Sequence, residues 1–145
     1  MYKESIHGNL VANQYCGVLI LGPPNSGKSM LSYCLVQQHH FALIADDLVV
    51  LKKTVSCSMV GYLYNVNFFG WLYLKQQGFI HVNNARKQSK ITHIIYLASG
   101  TQSNQSTTIL GQKIVVGVIN TQQRTLQQCA DLFINNSLDF CILSP

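Results

Sequence analysis

The sequence of 145 residues is poor in charge and above all in acid. Charged residues make up only 10% of it, with five acidic residues against ten basic ones. Glu4 is the only glutamate, and the aspartates are Asp46, Asp47, Asp131 and Asp139. Any chemistry that needs carboxylates must therefore be carried by very few side chains. The same scarcity of acid accounts for most of the net charge of +5.

Long basic runs and long apolar runs are both missing. The basic residues are scattered, whereas a nucleic-acid binder more often has a longer basic run with interleaved aromatic residues. The positive balance fits a phosphate ligand or an acidic protein partner, and we expect no nucleic-acid partner. No apolar run approaches the roughly 18 residues of a membrane span. The apolar run at 16–21 is preceded by polar residues and followed directly by a glycine-rich loop, so we expect no cleaved signal and a cytoplasmic location.

The cysteines have no C-x-x-C spacing, and their number, five, is odd. Most lie in apolar runs, which indicates reduced, small core residues rather than disulfide bridges or metal ligands. The histidines likewise show no metal-ligand spacing. The chain has no internal repeat and no composition shift that would mark a boundary, and its length suits a single domain over residues 1–145.

A complete Walker A sequence stands near the start of the chain. It consists of Gly22, Pro23, Pro24, Asn25, Ser26, Gly27, Lys28 and Ser29. An apolar run at 17–21 predicts a buried strand before it, and residues 30–36 predict a helix after it. In that context the backbone N–H groups of the loop and the first helical turn bind phosphate oxygens. Lys28 adds a positive charge toward the outer phosphates, and the Ser29 hydroxyl can hold a magnesium ion. The sequence therefore predicts nucleotide binding.

Asp46 and Asp47 are the chain's only adjacent acids, and they follow an apolar run at 41–45 that predicts a buried strand. In a parallel α/β sheet the end of that strand lies at the same edge as the phosphate loop. One carboxylate can then order the magnesium shell while its neighbour takes a hydroxyl proton. The alternative is a solvent-exposed turn capped by two aspartates.

The remaining patterns predict a sheet with few helices. Short strands are expected at 10–12 and 16–21 around a tight turn, then at 48–51, 91–98, 109–110 and 114–119. The aromatic, glycine-punctuated stretch at 55–82 predicts short strands and a loop, and 83–90 an exposed connection. Residues 99–106 have the composition of a flexible loop. A last helix is expected from about Thr121 to Phe133, with Asn120 as its N-cap and Gln123 three residues on.

Three motifs together resemble the C-terminal catalytic domain of HPr kinase/phosphorylase. They are His7-Gly8, the loop Gly22 to Ser29, and Ala45-Asp46-Asp47, in the order and approximate spacing of that family. The chain is similar to a short, stand-alone and partly degenerate version of the domain. The resemblance implies an α/β P-loop nucleotide-binding domain with a mixed β-sheet and few helices, of the HPr kinase/PEP carboxykinase type. It implies an ATP- and Mg²⁺-dependent kinase that phosphorylates a serine of the phosphocarrier protein HPr and removes that phosphate by phosphorolysis.

The resemblance also implies a role for each matching residue. Asp47 would accept the proton in the kinase direction and donate it in the reverse, with His7 supporting it. Lys28 would bind the transferred phosphate and Ser29 would coordinate magnesium, with Asp46 beside it. Arg124 matches the family's late catalytic arginine once a gap is allowed. Members of the family are usually hexamers.

The chain departs from the family pattern near the motifs. Met30 stands where an acidic residue is common. The segment Gly70 to Gly78 aligns with a family signature and places Tyr73 at the position of a magnesium-binding glutamate and Lys75 at that of an arginine. Because a tyrosine hydroxyl is a poor magnesium ligand, three hypotheses stay open: a working serine kinase, a degenerate nucleotide-binding regulator, and another small P-loop kinase whose likeness outside the loop is coincidental.

Overall fold

The computed structural model describes residues 3–100, 104–122 and 124–142, which form strands with two α-helices. The strands are β1 (Lys3–His7), β2 (Asn9–Ala12), β3 (Gly17–Leu21), β4 (Ala42–Ala45), β5 (Leu48–Lys53), β6 (Met59–Leu63), β7 (Trp71–Leu74), β8 (Gly78–His81), β9 (Gln88–Lys90), β10 (His93–Ala98), β11 (Asn104–Ile109) and β12 (Gln112–Asn120). The α-helices are α1 (Lys28–His39) and α2 (Leu126–Asn135), and single 3₁₀ turns lie at Val66–Phe68 and Ser137–Phe140.

The largest sheet has six strands in the order β11-β12-β10-β3-β2-β4. Strand β3 runs parallel to β10, and β10 parallel to β12. Strand β2 is antiparallel to both β3 and β4, so β3 and β4 point the same way with β2 between them. The predicted mixed sheet with few helices is therefore confirmed. The carboxyl ends of β3 and β4 and the amino end of β2 all meet at one edge.

Both faces of this sheet are covered, which explains the unbroken apolar runs of its central strands. Successive side chains of a strand point to opposite faces, and Val18 and Ile20 pack toward the helices while Leu19 and Leu21 pack on the other side. The helix-side core includes Leu31, Leu35, Cys129, Ala130 and Phe133. Each helix thus turns an apolar face to the sheet, whereas Cys34 of α1 is only half-buried.

A second sheet, in the order β1-β5-β6-β9, covers the other face of the large one. Its inward side chains Val49, Leu51 and Met59 pack against Leu10, Leu19 and Ile44 of the large sheet. Strands β7 and β8 form a separate hairpin. Leu72 and Leu74 of that hairpin enter the helix-side core, while Trp71 and Tyr73 alternate with them and face outward.

The last helix begins later than the sequence pattern suggests. Strand β12 continues through Asn120, so Asn120 is not a helix cap, and its side chain accepts a hydrogen bond from the Gln122 amide at 2.9 Å. The cap of α2 is Thr125, whose hydroxyl accepts the Gln128 amide while the Gln128 side chain accepts the Thr125 amide. This capping box satisfies two otherwise free donors. Gln123 lies outside the described residues.

Two stretches predicted as irregular contain strands. Residues 104–109 form β11, which pairs antiparallel with residues 112–117 of β12. The predicted loop at 99–106 is therefore wrong for its last three residues, and residues 101–103 lie outside the described part. Residues 88–90 form β9 at the edge of the second sheet. The polar composition of both segments gave no strand signal, because each strand has one exposed face.

Neither α1 nor α2 combines the length and apolarity that crossing a bilayer requires.

Candidate functional site

The glycine-rich loop connects the end of β3 to the start of α1. Gly27 is the residue before α1 and has φ 99°, in the left-handed region that favours glycine. No side chain caps the first turn of α1. The first backbone N–H groups of a helix lack partners within the helix, so those of α1 remain available to an anion at its positive end.

Close packing explains the glycines at both ends of the loop. A Cβ atom at Gly22 would lie 2.6 Å from the Ser26 Oγ atom and 2.8 Å from the Leu97 carbonyl oxygen. At Gly27 it would lie 2.9 Å from the Leu126 side chain at the start of α2. The Ser26 hydroxyl is buried and has no hydrogen-bond partner among the described residues. The loop therefore holds an unpaired hydroxyl beside the free end of α1, and both can donate hydrogen bonds to an anion.

Lys28, the first residue of α1, folds its side chain back over the loop. Its Nζ atom donates hydrogen bonds to the carbonyl oxygens of Gly22 at 2.9 Å and Pro23 at 3.0 Å. Partial burial lowers the pKa of this ammonium group, while the carboxylates of Asp47 and Asp46 act in the opposite direction. The positively charged ammonium group of Lys28 therefore lies close enough to interact electrostatically with both aspartates.

The Asp46 carboxylate joins three separate parts of the chain. Its Oδ1 atom accepts hydrogen bonds from the Ser29 hydroxyl and from the Asn9 side-chain amide, both at 2.6 Å. Its Oδ2 atom accepts the backbone N–H of Tyr73 at 2.9 Å. Because β3 and β4 point the same way, the predicted meeting of the loop and the paired acids at one edge is what the fold produces.

Asn9 is the site residue that the sequence patterns missed. It is fully buried at the start of β2, and its carbonyl oxygen Oδ1 accepts the backbone N–H of Asp47 at 3.1 Å. One side chain thus fixes the carboxylate of Asp46 and the backbone of Asp47 at once. The signal that points to it is its position directly after His7-Gly8, at the start of a strand antiparallel to β3.

Asp47 and His7 are both exposed, Asp47 just before β5 and His7 at the end of the neighbouring strand β1. Asp47 is exposed and has φ 70°, a left-handed conformation that aspartate and asparagine tolerate better than most residues. Its carbonyl oxygen accepts the Gly8 amide at 3.1 Å. His7 is the last residue of β1 and pairs with Leu48, the neighbour of Asp47. Among the described residues the Asp47 side chain shares no hydrogen bond with the network that holds the Asp46 carboxylate, and it is exposed to solvent.

Tyr73 and Arg124 are placed differently with respect to this centre. The backbone of Tyr73 binds Asp46, while its ring is about half exposed and packs edge-on against Phe79 at 5.1 Å between centroids. Arg124 lies between β12 and α2, two residues before the Leu126 side chain that meets the loop. Its exposed guanidinium donates to the carbonyl oxygen of Asn120 at 3.1 Å and so faces its own strand.

The oxygen atoms at this centre suit magnesium that is shared with a nucleotide. The described residues contain no group of three or more histidine, cysteine or carboxylate side chains that could hold a metal ion. Magnesium is commonly held by one or two carboxylates together with substrate phosphates and water. The Ser29 hydroxyl and the Asp46 carboxylate, in contact with each other beside the free end of α1, fit that arrangement.

Residues 1–122 match the family model of the HPr serine kinase C-terminal domain. The chain is 32% identical over 101 residues to an HPr kinase/phosphorylase of Malacoplasma penetrans, covering 66% of this chain and 33% of that protein. It is 46% identical over 56 residues to the HPr kinase/phosphorylase of Geobacter sulfurreducens, covering 39% of this chain and 17% of that protein. The aligned part thus spans a third or less of these relatives' length. Arg124 lies just past the range that the family model matches.

A solved structure of the Hpr(Ser) kinase/phosphatase from Coxiella burnetii has the same fold, with a TM-score of 0.76 and 21% sequence identity. The likeness covers 93% of this chain and 96% of that one. It confirms the predicted α/β fold type. The hypothesis that the likeness outside the phosphate loop is coincidental disagrees with the family match, which extends well beyond the loop.

We expect Asn9→Ala to lower the free energy of unfolding by about 1–3 kcal/mol, because the substitution removes one of the donors to the Asp46 carboxylate and leaves the part-buried backbone N–H of Asp47 without its acceptor. Urea denaturation followed by circular dichroism measures the change. Asn67→Ala, at an exposed position, serves as the matched control and should change the stability by less than about 0.5 kcal/mol. Equal stability of the two variants would contradict the bridging role of Asn9.

Proposed function

Because the chain belongs to the family of HPr serine kinase C-terminal domains, we propose that it is an ATP-dependent serine kinase acting on an HPr-type phosphocarrier protein. The observation that carries the proposal is the contact between Ser29 and Asp46 at 2.6 Å, with Lys28 and Asp47 on either side. This contact unites the phosphate loop, a metal-binding oxygen pair and a free carboxylate at one edge of the sheet. Phosphoryl transfer requires these three elements.

Each residue of the centre has a part in the proposed reaction. The loop from Gly22 to Ser29 binds the phosphates of ATP, and Lys28 exchanges its loop carbonyl contacts for contacts to the transferred phosphoryl group. Ser29 and Asp46 would hold magnesium, which would supply positive charge to offset the charge that develops on the phosphate oxygens. Asp47 accepts the proton of the substrate serine hydroxyl as the serine oxygen attacks the outer phosphorus, and the bond from that phosphorus to the ADP oxygen breaks so that ADP leaves. In the reverse direction Asp47 returns that proton.

His7 and Arg124 have supporting parts. His7, which pairs across the sheet with the residue after Asp47, orients the Asp47 carboxylate. Arg124 would have to release the Asn120 carbonyl oxygen and turn toward the loop to reach a transferred phosphoryl group.

We further propose that residues 1–145 act as one domain, assemble as a hexamer as the resemblance implies, and work in the cytoplasm, where ATP is the phosphoryl donor. Neither nucleic acid nor a membrane surface is required.

A second candidate is a nucleotide-binding regulator that has lost phosphoryl transfer. The specific observation in its favour is Tyr73, whose backbone N–H binds Asp46 while its ring packs on Phe79. The position that resembles the family's magnesium-binding glutamate thus lies at the metal-binding carboxylate but offers no carboxylate of its own. The two candidates share nucleotide binding and differ only in transfer.

Lys28→Ala should weaken the binding of magnesium-ATP by about 10- to 100-fold, since a hydrogen bond to a charged group contributes roughly 1.5–3 kcal/mol. Isothermal titration calorimetry measures the affinity. Lys87→Ala, at an exposed position outside the loop, controls for the change in net charge. An unaltered affinity of the Lys28 variant would remove the loop from the nucleotide site.

Asp47→Ala and Asp47→Asn should both slow transfer of phosphate from ATP to HPr by roughly 10²–10⁴-fold, the usual contribution of a general base, with ATP affinity nearly unchanged. Asparagine tolerates the left-handed backbone of this position, so it separates the loss of the carboxylate from backbone strain. Transfer is followed with radiolabelled ATP, and Asp139→Asn is the control. Normal transfer by the asparagine variant would show that Asp47 is not the proton acceptor.

Tyr73→Glu should lower the magnesium concentration needed for half-maximal transfer, because it adds a carboxylate at the magnesium-binding edge. Tyr73→Gln, of similar size but uncharged, is the matched control, and both are assayed over a magnesium titration. If the wild-type protein transfers no phosphate and neither variant does, the regulator hypothesis gains the stronger support. If glutamate and glutamine behave alike, the tyrosine is not the cause of any metal defect.

A further inference from the structure

A cysteine, a histidine and a threonine form a hydrogen-bonded chain at the sheet edge opposite the phosphate loop. The Cys141 Sγ atom lies 3.2 Å from the Nε2 atom of His93, the first residue of β10. The other ring nitrogen, Nδ1, lies 2.7 Å from the Thr92 hydroxyl oxygen. Nothing in the proposed kinase chemistry uses these three residues.

The contacts of Thr92 are compatible with the His93 tautomer that carries its proton on Nδ1. The Thr92 hydroxyl donates to the Gly17 carbonyl oxygen at 3.3 Å and accepts the Gly17 amide at 3.0 Å. In that tautomer the proton of Thr92 is directed to Gly17, and the hydroxyl oxygen accepts the Nδ1–H of His93. Nε2 then presents a lone pair to the Cys141 thiol. This is the tautomer in which a histidine can take a proton from a nucleophile.

The surroundings of His93 keep the ring neutral and fixed. Burial lowers its pKa, so the ring is uncharged near pH 7 and able to accept a proton. Its edge packs against Phe133, with 5.7 Å between ring centroids and a right-angled arrangement. A backbone bridge to Cys141 and the hydrogen bond from the Ile142 amide to the Thr92 carbonyl hold the three residues together.

The thiol lines an open groove that is positively charged. The groove has a volume of about 910 Å³ and lies between the β5–β6 turn, the β11–β12 hairpin and residues 138–142. Among its described lining residues the charged side chains are Lys53, Lys90, Lys113 and Asp139. Three positive charges against one negative charge favour an anionic ligand, and the volume accommodates a molecule of peptide size.

The other cysteines lack this combination. Burial raises the pKa of the Cys16, Cys34 and Cys129 thiols, so they remain protonated near neutral pH. Cys57 also lines the groove and is exposed, but no histidine is bonded to it among the described residues. It offers a comparison within the same protein, since a disulfide that enters the groove meets both thiols.

We propose that Cys141 is a site of thiol–disulfide exchange with an anionic low-molecular-weight disulfide, with His93 as its general base and Thr92 as the residue that positions His93. The Cys141 proton passes to His93 Nε2 as the sulfur attacks one sulfur of the disulfide. The disulfide bond breaks, a new bond joins Cys141 to one half, and the other half leaves as a thiolate that takes the proton from His93. Cys141 is oxidised and the leaving half is reduced, so no further reactant is needed.

The test uses glutathione disulfide as the probe and peptide mass spectrometry as the readout on the full chain. At pH 7 we expect the mixed disulfide to form on Cys141 at least about tenfold faster than on Cys57, since a positioned base contributes about 10² or more at catalytic sites. His93→Gln and Thr92→Val should each reduce the rate at Cys141 toward that at Cys57. His81→Gln, in β8 outside the groove, is the matched control.

Two results would overturn the proposal. One is a wild-type Cys141 that reacts no faster than the more exposed Cys57, a comparison that needs no variant. The other is a folded His93→Gln protein, verified by circular dichroism, whose Cys141 keeps the wild-type rate. The anionic class is tested separately: Lys113→Gln should slow the reaction with glutathione disulfide but not with the neutral hydroxyethyl disulfide. Equal effects on both reagents would contradict the role of the groove charge.

Discussion

The carboxylate of Asp46 is the group on which the rest of the site depends. It accepts hydrogen bonds from the first turn of α1, from the start of β2 and from the backbone of β7. A partly buried carboxylate is stable only when its charge is met by such donors. The three contacts therefore stabilise the charge and at the same time fix the phosphate loop, the second strand and the outer hairpin relative to each other.

The sheet topology explains why so few acids suffice. Antiparallel β2 lies between two strands that point the same way, so the ends of β3 and β4 and the start of β2 coincide. Asn9, at that start, holds both aspartates through one amide. The Asp46 carboxylate accepts hydrogen bonds from hydroxyl and amide donors, whereas Asp47 stays exposed with a left-handed backbone conformation. Two adjacent carboxylates thus receive different environments, which suits the different roles proposed for them.

The opposite edge of the same sheet carries chemistry of another kind. There β10 begins with His93, whose partly buried ring lies between Thr92 and Cys141. The carboxyl end of β10 lies near the phosphate loop, because the Leu97 carbonyl oxygen is close to Gly22. One strand therefore connects the two sites, and the packing of the sheet keeps them apart on opposite edges.

The sequence by itself determined the elements whose signal is local. Glycine spacing and the adjoining apolar runs identified the loop and its two flanking elements, and the paired acids after a buried strand identified Asp46 and Asp47. Tertiary structure alone decided what depends on contacts between distant residues. The buried amide of Asn9 has no periodic signature, the cap of α2 at Thr125 was set by how far β12 extends, and polar β11 became a strand only by pairing with β12. Local patterns report which face of an element is buried, but not which partner occupies its edge.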